Sequence, residues 1–110
     1  MPTVYKVLGQ ASPTLGALTD IYTVPSGNSA VISTINVCNR DTTNTGAFRI
    51  AIRPAGESIA NKHYIAYDTA IPAVDAIALT IGVTLAQTDV ISVYAANANV
   101  SFSIFGSEIY

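Results

Sequence analysis

The chain holds one cysteine and one histidine, Cys38 and His63, and these are the first residues to weigh for chemistry. A thiol becomes a strong nucleophile when a neighbouring base takes its proton and a third group holds that base in place. The two residues lie 25 positions apart, so they can meet only across strands. No GxSxG occurs, and no glycine-rich loop opens a helix to cradle a phosphate. A metal needs clustered His, Cys, Asp or Glu donors, but CxxC and HExxH are absent and the seven acids are scattered. Asp75 and Asp89 each open a strand-like run, where a carboxylate commonly bonds turn amides. The expectation is therefore no catalysis, no metal and no cofactor. Cys38 reads as a small buried hydrophobe, with a subunit contact or an intermolecular disulfide as alternatives.

Arg49 and Arg53 share one face of a strand, roughly 13 Å apart by strand rise. One reading is a solvated outer face. The other is ion pairing between subunits with Asp68 or Glu57 as partners, because a guanidinium suits bidentate contacts with carboxylates. Tyr64, Tyr67, Tyr94 and Tyr110 raise the possibility of a glycan-binding surface, although tyrosine is common in strands and tryptophan is absent.

The elements that must position these residues are strands. One hundred and ten residues make one domain, spanning 1–110, long enough for a core without disulfides. About eight strand-like runs occur, at 3–9, 18–24, 30–39, 47–54, 63–71, 76–83, 89–96 and 100–109. "PSGN" punctuates the second and third. "RDTTNTG" is a wholly polar loop, and "AGESIANK" is a loop with room for a helical turn. No segment keeps a helical period. The expected fold is all-β, a single antiparallel β-sandwich, jelly-roll-like or Greek-key. Parity within each run assigns Ile35, Val37, Phe48, Ile50, Ile52, Leu79, Ile81, Val100, Phe102 and Ile104 to the core.

Half of the residues are hydrophobic and only 11% are charged, against roughly 25% in an ordinary soluble domain. Few charges remain to keep such a surface monomeric. The net charge of −2 gives no basic footprint for nucleic acid or anionic lipid. The uncharged run 76–88 lies between Asp75 and Asp89 and is too short for a spanning helix, so no membrane partner is expected. The single cysteine excludes an internal disulfide. With the absence of an apolar leader in "MPTVYKVLGQ", it fits assembly in a reducing cytoplasm.

The run "VISTINVCNR" alternates poorly. Val31, Ser33, Ile35 and Val37 make one parity set; Ile32, Thr34, Asn36 and Cys38 make the other. Neither set is clearly polar, so the expectation is that the second faces a neighbouring subunit. Ile32, Thr34, Cys38, Arg49 and Arg53 are the candidate interface residues.

Several stretches together carry a resemblance: "DIYTVPSGNSAVISTINVCNR", "FRIAIRPAG", "HYIAYDTAI" and "LTIGVTLAQTDVISVYAANANVSFSIFGSEI". From about residue 18 onward the chain resembles small all-β proteins encoded among the virion genes of tailed bacteriophages. The resemblance implies a non-enzymatic structural component of the virion, tail-associated on a fibre, collar or baseplate. A capsid cement protein and a receptor- or glycan-binding module are the alternatives. Symmetric particles carry symmetric copies, so the partners implied are other virion proteins and a homo-oligomer, a trimer or a dimer. The resemblance supplies no catalytic or ligand-binding residues.

Overall fold

Nine strands are divided between two sheets in the computed structural model, which describes residues 2–110. They are β1 (Thr3–Ala11), β2 (Thr19–Thr23), β3 (Ser29–Asn39), β4 (Gly46–Arg53), β5 (Tyr64–Ile71), β6 (Asp75–Leu79), β7 (Val83–Leu85), β8 (Val90–Ala95) and β9 (Val100–Ile109). The first sheet runs β1-β9-β3-β6, with β7 also paired to β3; the second runs β2-β8-β4-β5. Every pairing is antiparallel. β6 lies beside Ile35–Asn39 and β7 beside Ala30–Ile32, so the two act as one interrupted strand. The expected run at 76–83 is thus two short strands, broken at residues 80–82. Counted that way, eight strands in the order 1-8-3-6 and 2-7-4-5 make a jelly roll. Two single 3₁₀ turns, Pro54–Gly56 and Asn61–His63, occupy the loop after β4.

The core lies between the sheets. β4 alternates as its sequence dictates: Phe48 and Ile50 are fully buried, while Arg49 and Arg53 point outward. Phe48 from the second sheet meets Phe102 from the first, edge to face, with ring centroids 6.1 Å apart. Of the expected core, Ile35, Val37, Phe48, Ile50, Val100, Phe102 and Ile104 are buried; Ile52, Leu79 and Ile81 pack against its margin.

β3 resolves its own poor alternation. Ile32 pairs with Gly106 and Thr34 with Phe105, so Ser33 is an extra residue, a β-bulge. Its hydroxyl donates to the Phe105 carbonyl oxygen at 3.1 Å. A bulge shifts the side-chain parity by one. Ala30 and Ile32 face the core before it; Ile35, Val37 and Asn39 face the core after it. Ile32 is fully buried, which corrects its assignment to an outward contact. The true outer face is Val31, Ser33, Thr34, Asn36 and Cys38, mostly polar as a solvated face should be. Gly106 makes the bulge possible, because a Cβ there would collide with the Val31 carbonyl oxygen.

One end of the sandwich is closed by a charged group. Glu108 points inward and is almost fully buried. The Tyr22 hydroxyl crosses between the sheets to donate to its Oε2 at 2.6 Å, and Lys6 Nζ meets Oε1 at 2.7 Å. Those two donors hold the Glu108 carboxyl below its usual range, while burial and the bond to Glu108 push the Tyr22 phenol up. Glu108→Ala would leave the Tyr22 hydroxyl without its partner. The expected cost is about 1–3 kcal/mol, read as a lower midpoint in urea denaturation. An unchanged midpoint would mean that the triad does not hold the two sheets.

Candidate functional site

Cys38 and His63 do not meet. Cys38 lies on the outer side of β3, opposite Ala76 and Ser101 in the first sheet. His63 ends the turn before β5, in the second sheet, and is buried. Both its nitrogens are engaged: Nδ1 accepts from the Ala60 amide at 3.0 Å, and Nε2 lies 3.1 Å from Glu57 Oε1. The imidazole therefore ties its own loop together. That bond, and Lys62 beyond it, lowers the Glu57 pKa.

The carboxylates are spent in the same way. Asp89 accepts from the Ala86 and Ala55 amides and Asp75 from the Ala76 amide, the turn-bonding role expected of them. Asp41 is the centre of the loop cluster at one end of the sandwich. Its carboxylate accepts from the amides of Thr43 and Asn44 and from the side chains of Thr43, Asn44, Asn97 and Asn99. A carboxylate ringed by donors is built to cap loops, not to bind a cation. Among the described residues no three of His, Cys, Asp and Glu converge.

These bonds hold the Asp41 carboxyl far below its usual range, the Thr43 and Asn44 amides contributing most. Its folded pKa lies below the unfolded value of about 3.9. The stabilisation is therefore complete above that value and is lost as pH falls through it toward the folded pKa. Glu57 and Glu108 shift in the same direction. Thermal stability should fall steeply below about pH 4, and Asp41→Asn should flatten that acid limb while lowering stability at neutral pH. Melting curves taken across this range check it; parallel curves for the variant would remove Asp41 from the account.

The arginines find carboxylate partners within the chain, Arg49 in Asp68 and Arg53 in Asp20. Arg53 Nη2 meets Asp20 Oδ1 at 2.7 Å, and its Nε donates to Ser92 Oγ at 3.1 Å. Ser92 in turn donates to Asp20 at 2.8 Å. Arg53 Nη1 also donates to the Gly56 and Glu57 carbonyls, fixing the turn after β4. Glu57, offered as a partner for the arginines, gives its carboxylate to His63 instead.

Arg49 sits in a more elaborate setting. Asp68 accepts from its Nε at 2.6 Å and its Nη2 at 3.3 Å, a two-point pair. Its guanidinium carbon lies 4.1 Å from the Tyr67 ring centroid and 4.4 Å from that of Tyr94. The cation is thus stacked between two aromatic faces, each worth about 0.5–1 kcal/mol at an exposed site. Tyr94 is its direct neighbour across β8.

Tyr67 and Asp68 are consecutive, and in a regular strand they would point to opposite sides. Here the register slips between Phe48/Thr69 and Ile50/Ala66, and Asp68 takes a left-handed φ of 50°. That kink brings both side chains onto Arg49. Such a conformation costs on the order of 1–3 kcal/mol and persists only where the surroundings hold it.

Tyr67 also meets Tyr64 at 4.9 Å between centroids, with the ring planes 85° apart. The two rings and Asn61 line an open hollow of about 450 Å³. A second hollow, about 500 Å³, opens on the other side of the sandwich among Tyr5, Val31, Ser33, Phe105 and Ser107.

The candidate interface residues are therefore divided. Thr34 and Cys38 lie on the outer side of the first sheet, Arg49 and Arg53 on the outer side of the second, and Ile32 between them in the core. No single flat contact can hold all of them. The hollow beside Tyr64 and Tyr67 was foreshadowed only by the tyrosines themselves; the positive φ at Asp68 that organises it has no signature in residue type. Comparison with family models, with curated proteins and with solved structures returns no match for this chain.

Proposed function

We propose that the chain is a non-enzymatic structural component of a tailed-phage virion, tail-associated, that acts as a symmetric assembly of its own copies. The observation that carries this reading is the outer side of the first sheet. Tyr5 is 84% exposed and Val7 50%, beside a 37%-exposed Phe105 and the 500 Å³ hollow. Exposed apolar side chains on adjacent strands, with Val7 directly opposite Phe105, favour a partner on a chain with so few charges. The sequence resemblance supplies the class of particle. The jelly roll is an architecture that capsid proteins and lectins share, so it fits the reading without selecting it. Seven carboxylates and one imidazole, all engaged in hydrogen bonds within the fold, leave few groups poised for acid–base work.

A stable contact between copies buries roughly 800 Å² per partner. Light scattering at tens of micromolar concentration should give a trimer or dimer. Tyr5→Asp and Phe105→Asp should shift it to monomer with the circular dichroism spectrum unchanged. Labelled protein should decorate the tail in electron micrographs of virions. A monomer that binds no virion component would overturn the proposal.

A further inference from the structure

We propose that the corner formed by Tyr64, Tyr67 and Asn61 on the outer side of the second sheet is a binding site for a neutral saccharide. The inference is independent of the virion reading and rests on the opposite side of the sandwich from the apolar patch around Tyr5 and Phe105. Four observations carry it. The hollow, about 450 Å³, lies in the size range of small-molecule sites. Two of its sides are tyrosine rings set 85° apart, so one ring can stack on the C–H face of a sugar while the other closes its edge. Tyr67 is 56% exposed although it belongs to a strand, so it presents its surface instead of packing it away.

The last observation is preorganisation. Tyr67 is held by Arg49, which is itself clamped by Asp68 and backed by Tyr94. The backbone adopts a left-handed kink at Asp68 to assemble this stack. A ring fixed in advance loses little freedom when a ligand arrives.

The charge state selects among ligands. The one guanidinium beside the hollow is neutralised by Asp68 in a two-point pair, so no uncommitted cation lines the site for a carboxylate or a phosphate. The polar groups that remain are the tyrosine hydroxyls and the Asn61 amide, which both donate and accept. Sugar hydroxyls do the same. An apolar peptide would leave these groups unpaired, and an anionic sugar would meet no cation among the residues that line the hollow.

The test is titration calorimetry and saturation-transfer NMR on the full chain with maltotriose, chitotriose and lactose, against sialyllactose as the acidic probe. Binding of at least one neutral sugar is expected, with transfer to its ring protons. Tyr67→Ala should weaken that binding roughly tenfold or more, as loss of a central aromatic contact does. Tyr110→Ala, just past β9 of the other sheet and hydrogen-bonded to Pro2, should leave it unchanged. If Tyr67→Ala disturbs the circular dichroism spectrum, Asn61→Ala, in the exposed turn, decides by the same comparison. The proposal is overturned if no neutral sugar binds at millimolar concentration, if only sialyllactose binds, or if the variants bind as tightly as the parent chain. Monomeric protein that binds no virion component but still binds sugar would sink the virion reading and leave this one standing.

Discussion

Ile32→Asp is expected to unfold the protein. Ile32 is fully buried between the sheets and belongs to the continuous core with Ala30, Leu85 and Ile104. An unpaired carboxylate placed there has no cation and no hydrogen-bond donor prepared for it. The expected penalty is about 4 kcal/mol or more, against a total stability of about 5–15 kcal/mol for a domain of this kind. Thr34→Asp, two positions later and past the bulge, points the same charge outward and should cost about 1 kcal/mol or less. The contrast between neighbouring positions is the measurement. Urea denaturation of both variants, followed by circular dichroism, checks it. A well-folded Ile32→Asp would mean that the extra residue at Ser33 does not reset the strand.

This pair also marks where the sequence stops being legible. The strands themselves are written in residue type: β-branched runs, separated by proline, glycine and asparagine turns, give the all-β class and most of the core. β4 is the clearest instance up to Ile50, because buried Phe48 and Ile50 flank outward Arg49; Ala51, which follows, is covered and buried as well. β3 is unreadable by parity alone, because a bulge leaves no mark in hydrophobicity. Its cause lies in another strand: Gly106, some seventy positions later, allows the close approach of the Val31 carbonyl. The apparent mixed face, and the interface inferred from it, followed from treating the strand as regular.

The same limit applies to the outer side of the second sheet. Arg49, Arg53 and Asp68 were identifiable as partners by type, yet their pairing depends on which strands are neighbours. Sheet order β2-β8-β4-β5 brings Asp20 and Ser92 to Arg53, and Tyr94 to Arg49, from segments far apart in the chain. In a fold dominated by non-local contacts, charged residues find partners that local spacing cannot name. Charge content alone still carried information: a chain with five basic side chains engages all of them with acids or hydroxyls of its own.

Phe48→Ala and Phe102→Ala are each expected to cost about 3–5 kcal/mol, enough to unfold much of the population in a marginally stable domain. Both rings are almost completely buried, one contributed by each sheet, and their edge-to-face contact at 6.1 Å bridges the two sheets. Removing either ring opens a cavity that two rigid sheets cannot collapse to fill, since neighbouring Ile50, Val100 and Ile104 are held by their own strands. The two losses should not add. The first truncation already removes the aromatic contact, so the double variant should be less destabilised than the sum by about 0.5–1.5 kcal/mol. A double-mutant cycle in urea measures that coupling, with Phe→Leu variants at the same positions supplying the cycle if the alanine forms are too unstable to fold. Strict additivity would show that the rings contribute only as separate hydrophobic volumes. A cost below about 1 kcal/mol at either position would place that ring outside the packed interior and undo the assignment of the sheet faces.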